Sequence, residues 1–408
     1  MQYDNITNPE QLQRLCQRLA SAKTIGFDTE FVSEDSYRPD LCLLQVAADD
    51  VLAVVDTKAV EDLTCFWELL AEPGRQSVVH AAREEMLFCL RAIGRLPHDV
   101  MDVQLAAGLV GLEYPAAYGT LISRLLGKSL SKGETRTNWR KRPLSERQIK
   151  YALQDVLYLE PLRDTLTKRL NKLGRDEWLA GEMEVRKQEF IDFENEERWW
   201  RVSGLTGLSQ RGLAVVRELW RWREGVAERR DSPVRRVLRD DLIVELARRE
   251  SADPKRIGAL RGMERRDLRK HIPDLEQAIQ KALDLPQSEL PRRAQRSSNN
   301  QPQLNLLGQF LATALGGICR EAQIAPMLVG TVQDVRDYVA WRLGLDGAPQ
   351  EPALAVGWRS QIVGRRIDDL LSGKTAIVIG DPLADQPLAF RDLDGSESAE
   401  PASTEEPE

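Results

Sequence analysis

Cysteine is scarce in this chain: Cys16, Cys42, Cys65, Cys89 and Cys319 are the five among 408 residues, with no C-x-x-C pair. An odd, scattered set lying mostly in apolar runs excludes a disulfide framework and predicts reduced, buried thiols in a cytoplasmic protein. Histidine is scarcer still, at three (His80, His98 and His271). None has a cysteine partner at zinc-ligand spacing, so no zinc is expected. No apolar run approaches a membrane span, and the first twenty residues lack an apolar secretory core, which predicts a soluble protein without a membrane partner. A Walker-type loop and a G-x-S-x-G elbow are both missing, which argues against a nucleotide-hydrolysing motor and a serine hydrolase.

What is present is length, apolar content and an uneven charge. At 408 residues and 42% hydrophobic content, two or three domains with real cores are expected. The formal net charge is −7, but it is not uniform. Residues 391–408 form an acidic segment with no apolar period, expected to be a disordered tail. Residues 201–285 carry 20 Lys/Arg against 14 Asp/Glu, a net of +6, and are the basic part of the chain.

Local pattern divides the rest. A helix is expected over 10–22, strands over Thr24–Phe27, Leu41–Ala47 and Val51–Asp56, and an Asp49-Asp50 hairpin turn between the last two. Helix, strand, helix and strand follow at 62–70, 77–81, 84–93 and 99–103, and the pattern to Gly174 is helical apart from the polar loop Ser131–Pro143. Residues 1–180 therefore read as a mixed sheet flanked by helices. Short helices over 213–229, 238–250, 254–260 and 264–283 make a second module at 205–287, followed by a linker over 288–303. Residues 304–390 read as a third, helical module ending in two short strands.

Chemistry concentrates at two places. On a strand, side chains two apart share a face, so Asp28 and Glu30 project together; on a helix, positions four apart do the same, so Tyr151 and Asp155 project together. Two carboxylates from a strand and one from a helix make hard oxygen ligands suited to Mg²⁺ or Mn²⁺. With a phenol beside them to orient a water, this is the outline of a two-metal phosphodiesterase site. Between the two fragments lies a basic loop containing Lys132, Arg136, Trp139, Arg140 and Arg142, the composition that grips a single strand of nucleic acid. Each piece also has a plain structural reading: Asp28 as a turn or cap, Tyr151/Asp155 as chance helical spacing, the loop as a solvated surface. Asp102 heads an apolar run and is expected to be a structural cap or hydrogen-bonding residue rather than a fifth ligand.

Taken in order, Phe27-Asp-Thr-Glu-Phe31, His80-Ala-Ala-Arg-Glu-Glu85, Asp102-Val-Gln104, Gly133 to Trp139, Arg142-Pro-Leu144 and Tyr151-Ala-Leu-Gln-Asp155 resemble ribonuclease D, of the tyrosine-bearing branch of the DEDD-type 3′→5′ exonucleases. The resemblance covers roughly residues 20–175, and the basic module resembles the HRDC domain, with a second HRDC-like repeat over 304–390. It implies a ribonuclease H-like α/β exonuclease domain followed by all-α HRDC-type domains. It also implies two divalent cations and a 3′→5′ exoribonuclease releasing nucleoside 5′-monophosphates from RNA 3′ ends, tRNA precursors among the substrates. By position, Asp28, Glu30, Glu85 and Asp155 would be metal ligands and Tyr151 would contact the attacking water. Glu85 departs from the family, which usually has aspartate there. That leaves open a nucleic-acid-binding protein with an impaired site, and because nothing in the sequence reads a 2′-hydroxyl, an exodeoxyribonuclease is open as well.

Overall fold

Six strands before residue 103 form one sheet. In the computed structural model, which describes residues 2–130, 137–291 and 302–393, the strands are β1 (Asp4–Ile6), β2 (Thr24–Val32), β3 (Asp40–Ala48), β4 (Val51–Asp56), β5 (Gln76–Val79) and β6 (Asp99–Asp102). Their order is β1-β4-β3-β2-β5-β6. β2/β3 and β3/β4 are antiparallel, while β1/β4, β2/β5 and β5/β6 are parallel, so the sheet is mixed as expected. Asp49 turns the β3/β4 hairpin at φ 48°, a left-handed conformation that Asp tolerates better than most residues.

Two strands differ from the sequence reading. β1 is too short to show a period and went unrecognised. β2 runs past the expected end at Phe27, because β3 pairs with it throughout: Asp28 lies opposite Gln45 and Glu30 opposite Leu43, with the register shifting only after Glu30. Polar residues there are signs of a site, not of a strand end.

The chain divides into two units: Met1–Asp102, Gly127–Arg163 and Glu182–Gln295 form the first, and Val103–Leu126, Asp164–Gly181 and Arg296–Glu408 the second. In the first, α1 (Pro9–Leu19) starts on Asn8, whose side chain accepts from Gln11 N, and buries Leu12, Leu15 and Leu19 at helical spacing. α2 (Thr64–Ala71) packs on both α1 and α3 (Arg83–Ile93), and α3 ends at Gly94 in the left-handed region. α4 (Val103–Leu109) and α5 (Tyr118–Leu126) belong to the second unit. α6 (Glu146–Leu157) returns to the first and packs across β2, β3 and β4. α7 (Leu159–Leu173) and α8 (Asp176–Asn195) each run from one unit's residues into the other's.

The basic module completes the first unit. α9 (Gln210–Arg229) is capped by Ser209 and packs against α10 (Asp240–Arg249) and α11 (Ile272–Leu283) around Val216, Leu219, Ile243, Leu246 and Ile279. The continuous helix expected over 264–283 is broken into Arg266–Arg269 and α11, with Pro273 in the first turn of the latter. Proline fits a helix start and obstructs an interior.

In the second unit α12 (Pro302–Glu321) packs on α13 (Val332–Arg342), and after α14 (Arg365–Leu371) the expected strands form an antiparallel ribbon, β7 (Thr375–Ile379) and β8 (Leu388–Asp392). Arg175 there donates to the carbonyls of Leu109 (2.6 Å) and Gln323 (2.7 Å). Most of the expected linker and tail lies outside the described residues. Among the described residues no helix is long and apolar enough to cross a membrane.

Candidate active site

Asp28 and Glu30 share one face of β2 by strand alternation. Asp155 arrives on α6, whose start is fixed by a capping box between Ser145 and Gln148. Carboxylate oxygens of Asp28, Glu30 and Asp155 lie within 4.8 Å of one another, and all three residues are partly buried. Burial, then the neighbouring carboxylates, hold Asp28 well above the usual carboxylate range and push Glu30 up to about 8. Burial raises Asp155 to about 6, against the opposing effect of a hydrogen bond from Tyr151. Three acids that repel one another in a confined space are stabilised by a cation. Oxygen-only donors fit a hard divalent ion such as Mg²⁺ or Mn²⁺.

Tyr151 stands one turn before Asp155 on the same face of α6, so the Asp155 charge acts on its phenol. Burial and the charges of Asp155 and Glu30 raise its pKa, so it stays protonated and acts as a hydrogen-bond donor. Trp139 lies behind it, with ring centroids 6.2 Å apart. Trp139, expected to help the loop grip nucleic acid, is 4% exposed and packs with Cys42, Leu43 and Leu153. It supports the phenol instead.

The basic residues of the loop separate into two groups. Lys132 and Arg136 lie outside the described residues. Arg140 pairs with Asp40 at 2.7 Å, and Arg142 forks onto Asp56 at 2.7 Å while donating to the Cys42 and Trp139 carbonyls. These two guanidiniums tie the loop to β3 and β4, which is not the free strand-gripping role expected of them.

Glu85, in the first turn of α3, is 5% exposed. Its charge raises the pKa of both Asp28 and Glu30, so it belongs to the same neighbourhood. Yet its oxygens are not in the three-way cluster. Thr29 Oγ1 donates to Glu85 Oε1 at 2.7 Å. Thr29 was missed from sequence, although a hydroxyl on a strand buried on both faces needs a partner. Asp102 has the hydrogen-bonding role expected of it, accepting from the amides of Ala81 and Ala82 at 3.0 Å each. It holds the entry to α3, where Ala81 sits at φ 62°.

Residues 3–171 match the family model described as 3′-5′ exonuclease, and residues 212–279 match the HRDC domain. The chain is 33% identical over 371 residues to ribonuclease D of Gluconacetobacter diazotrophicus, covering 90% of this chain and 93% of that protein. To ribonuclease D of Granulibacter bethesdensis it is 32% identical over 375 residues, covering 91% and 93%. It is similar to the crystal structure of Escherichia coli RNase D, an exoribonuclease involved in structured RNA processing, at TM-score 0.78 and 26% identity over 91% of this chain and 99% of that one. A 3′→5′ exonuclease domain followed by an HRDC module is the class that fold and sequence define. Within that class, the chain belongs to the ribonuclease D family.

Proposed function

We propose that this chain is a 3′→5′ exoribonuclease that shortens structured RNA precursors, tRNA among them, one nucleotide at a time with two divalent cations. The observation that carries the chemistry is the convergence of Asp28, Glu30 and Asp155 within 4.8 Å. Family membership carries the RNA, and the structured-RNA role of the Escherichia coli protein suggests the kind of RNA. Asp28, Glu30 and Asp155 would hold one cation and Asp28 with Glu85 a second; when bound, the cations lower the pKa of a water and neutralise the phosphodiester. Tyr151, kept protonated and backed by Trp139, orients the attacking water by hydrogen bonding. Attack on phosphorus breaks the bond to the 3′ oxygen of the preceding nucleotide and releases a nucleoside 5′-monophosphate. Nothing covalent forms on the protein, so positioning and electrostatics supply the rate.

The test is a tRNA precursor with a 3′ extension, incubated with the protein and Mg²⁺ and followed by chromatography of the small products. Nucleoside 5′-monophosphates from the extension support the reading. Nucleoside 3′-monophosphates or oligonucleotides contradict it. A matched DNA strand tests the deoxyribonuclease reading, and binding without hydrolysis tests the impaired-site reading.

A further inference from the structure

A second charged feature of the first unit lies outside the carboxylate cluster. Where α9 meets α3 and the loop after β2, a cleft of about 410 Å³ is lined by six arginines, Arg38, Arg83, Arg91, Arg198, Arg201 and Arg223. Four acids also line it, and each is taken. Glu84 pairs with Arg83; Glu194 forks onto Arg91 and meets Arg38 at 3.4 Å; Asp240 and Glu224 both pair with Arg223. Among the described residues Arg198 and Arg201 are in no ion pair. The surplus of two positive charges therefore has an address.

The geometry concentrates that charge. Two guanidiniums lie over the Phe193 ring, Arg198 at 3.5 Å and Arg83 at 4.2 Å from its centroid. Burial, then the like charges of Arg201 and Arg83, lower the pKa of Arg198, against the opposing charges of Glu224 and Glu194. Guanidiniums held together in excess of the carboxylates around them favour an anion, and phosphate oxygens match their donor geometry. Trp220, half-buried in the same wall, adds an aromatic surface. Arginine with aromatic is the chemistry of single-strand binding.

The position gives the anion a source. Two walls of the cleft belong to the elements that carry the acids. Tyr37 to Pro39 follow β2, which bears Asp28 and Glu30, and Arg83 and Glu84 immediately precede Glu85 on α3. We infer that this cleft binds phosphodiester groups of the RNA strand on the 5′ side of the nucleotide being removed, with Arg198 and Arg201 as the contacting cations. The inference rests on the exoribonuclease reading and adds to it a subsite shared by the HRDC module and the nuclease domain.

The test uses the full chain, the double variant Arg198→Ala/Arg201→Ala and the charge-keeping variant Arg198→Lys/Arg201→Lys. Binding of a labelled single-stranded RNA is measured in EDTA over a range of salt, and hydrolysis of that RNA and of a dinucleotide in Mg²⁺. The alanine variant should bind the long RNA roughly tenfold more weakly. Its log–log salt slope should be shallower by about 1.4, the value for two contacts on a single strand. KM for the long RNA should rise, while kcat and dinucleotide hydrolysis stay at the parent level. The lysine variant should retain most of the salt slope. Unchanged binding, or an equal loss on RNA and dinucleotide, overturns the inference. So does calorimetric binding of 5′-AMP that disappears in the alanine variant, which would make the cleft a product site. Failure of the parent to hydrolyse either substrate counts against the exoribonuclease reading instead, a result distinguishable from these.

Discussion

The Thr29 hydroxyl donates a 2.7 Å hydrogen bond to the Glu85 carboxylate. Thr29 sits between Asp28 and Glu30, so the strand that presents two acids on one face anchors a third from its other face. Thr29→Val leaves a buried carboxylate without this donor and should cost about 1–3 kcal/mol in urea unfolding. Thr29→Ser keeps the donor and should stay close to the parent. Equal midpoints for all three proteins would show that the bond contributes nothing.

Without metal, the protein should become less stable as pH rises. Glu30 and Asp155 are raised in the fold to about 8 and about 6 from 4.5 and 3.8. Between those values the folded state binds more protons than the unfolded chain, so unfolding free energy falls with increasing pH. The contribution is fully present below the unfolded values and is lost as pH climbs through the folded ones. Melts in EDTA should give a lower Tm near pH 8.5 than near pH 5.5, and Mg²⁺ should narrow the difference by binding the native state. A Tm independent of pH and of Mg²⁺ contradicts the cluster.

Tyr151→Phe removes the phenol oxygen and keeps the ring that packs on Trp139. It should lower kcat by roughly 10²-fold, within the range of a lost proton-handling or water-orienting group. KM and Tm should be little changed. A loss confined to KM would place Tyr151 in substrate binding instead.

Ala81 holds a left-handed φ of 62° at the entry to α3, with its amide on Asp102. A Cβ there costs roughly 1–2 kcal/mol that glycine avoids. Ala81→Gly should therefore raise the unfolding free energy by about 1 kcal/mol after glycine's added unfolded-state entropy is deducted. Destabilisation would mean that the strain is absent in solution.

Much of this arrangement was legible in the chain. The hairpin at Asp49-Asp50, the mixed sheet and the helices after residue 205 followed from period and punctuation. The meeting of Asp28, Glu30 and Asp155 followed from two periodicities and an ordered set of motifs. What could not be read was burial and partnership. Trp139 looks the same in sequence whether it stacks on a base or packs under Tyr151, and only β3 and α6 closing over it decide. Arg140 and Arg142 look free until Asp40 and Asp56 come beside them from distant strands. The Arg198/Arg201 surplus was equally hidden, since it exists only after Glu84, Glu194, Glu224 and Asp240 have found other partners.

The central claim is that the three converging carboxylates drive removal of nucleotides from an RNA 3′ end. The most direct measurement incubates a 5′-labelled single-stranded RNA with the parent or with Asp28→Ala, in Mg²⁺, Mn²⁺ or EDTA, and resolves the products at single-nucleotide spacing. The account expects a ladder shortening from the 3′ end with the parent and either metal. It expects none in EDTA, and a rate lower by at least about 10²–10³-fold for the variant, which should remain folded. Undegraded RNA with the parent in both metals, or an undiminished ladder with Asp28→Ala, would contradict it.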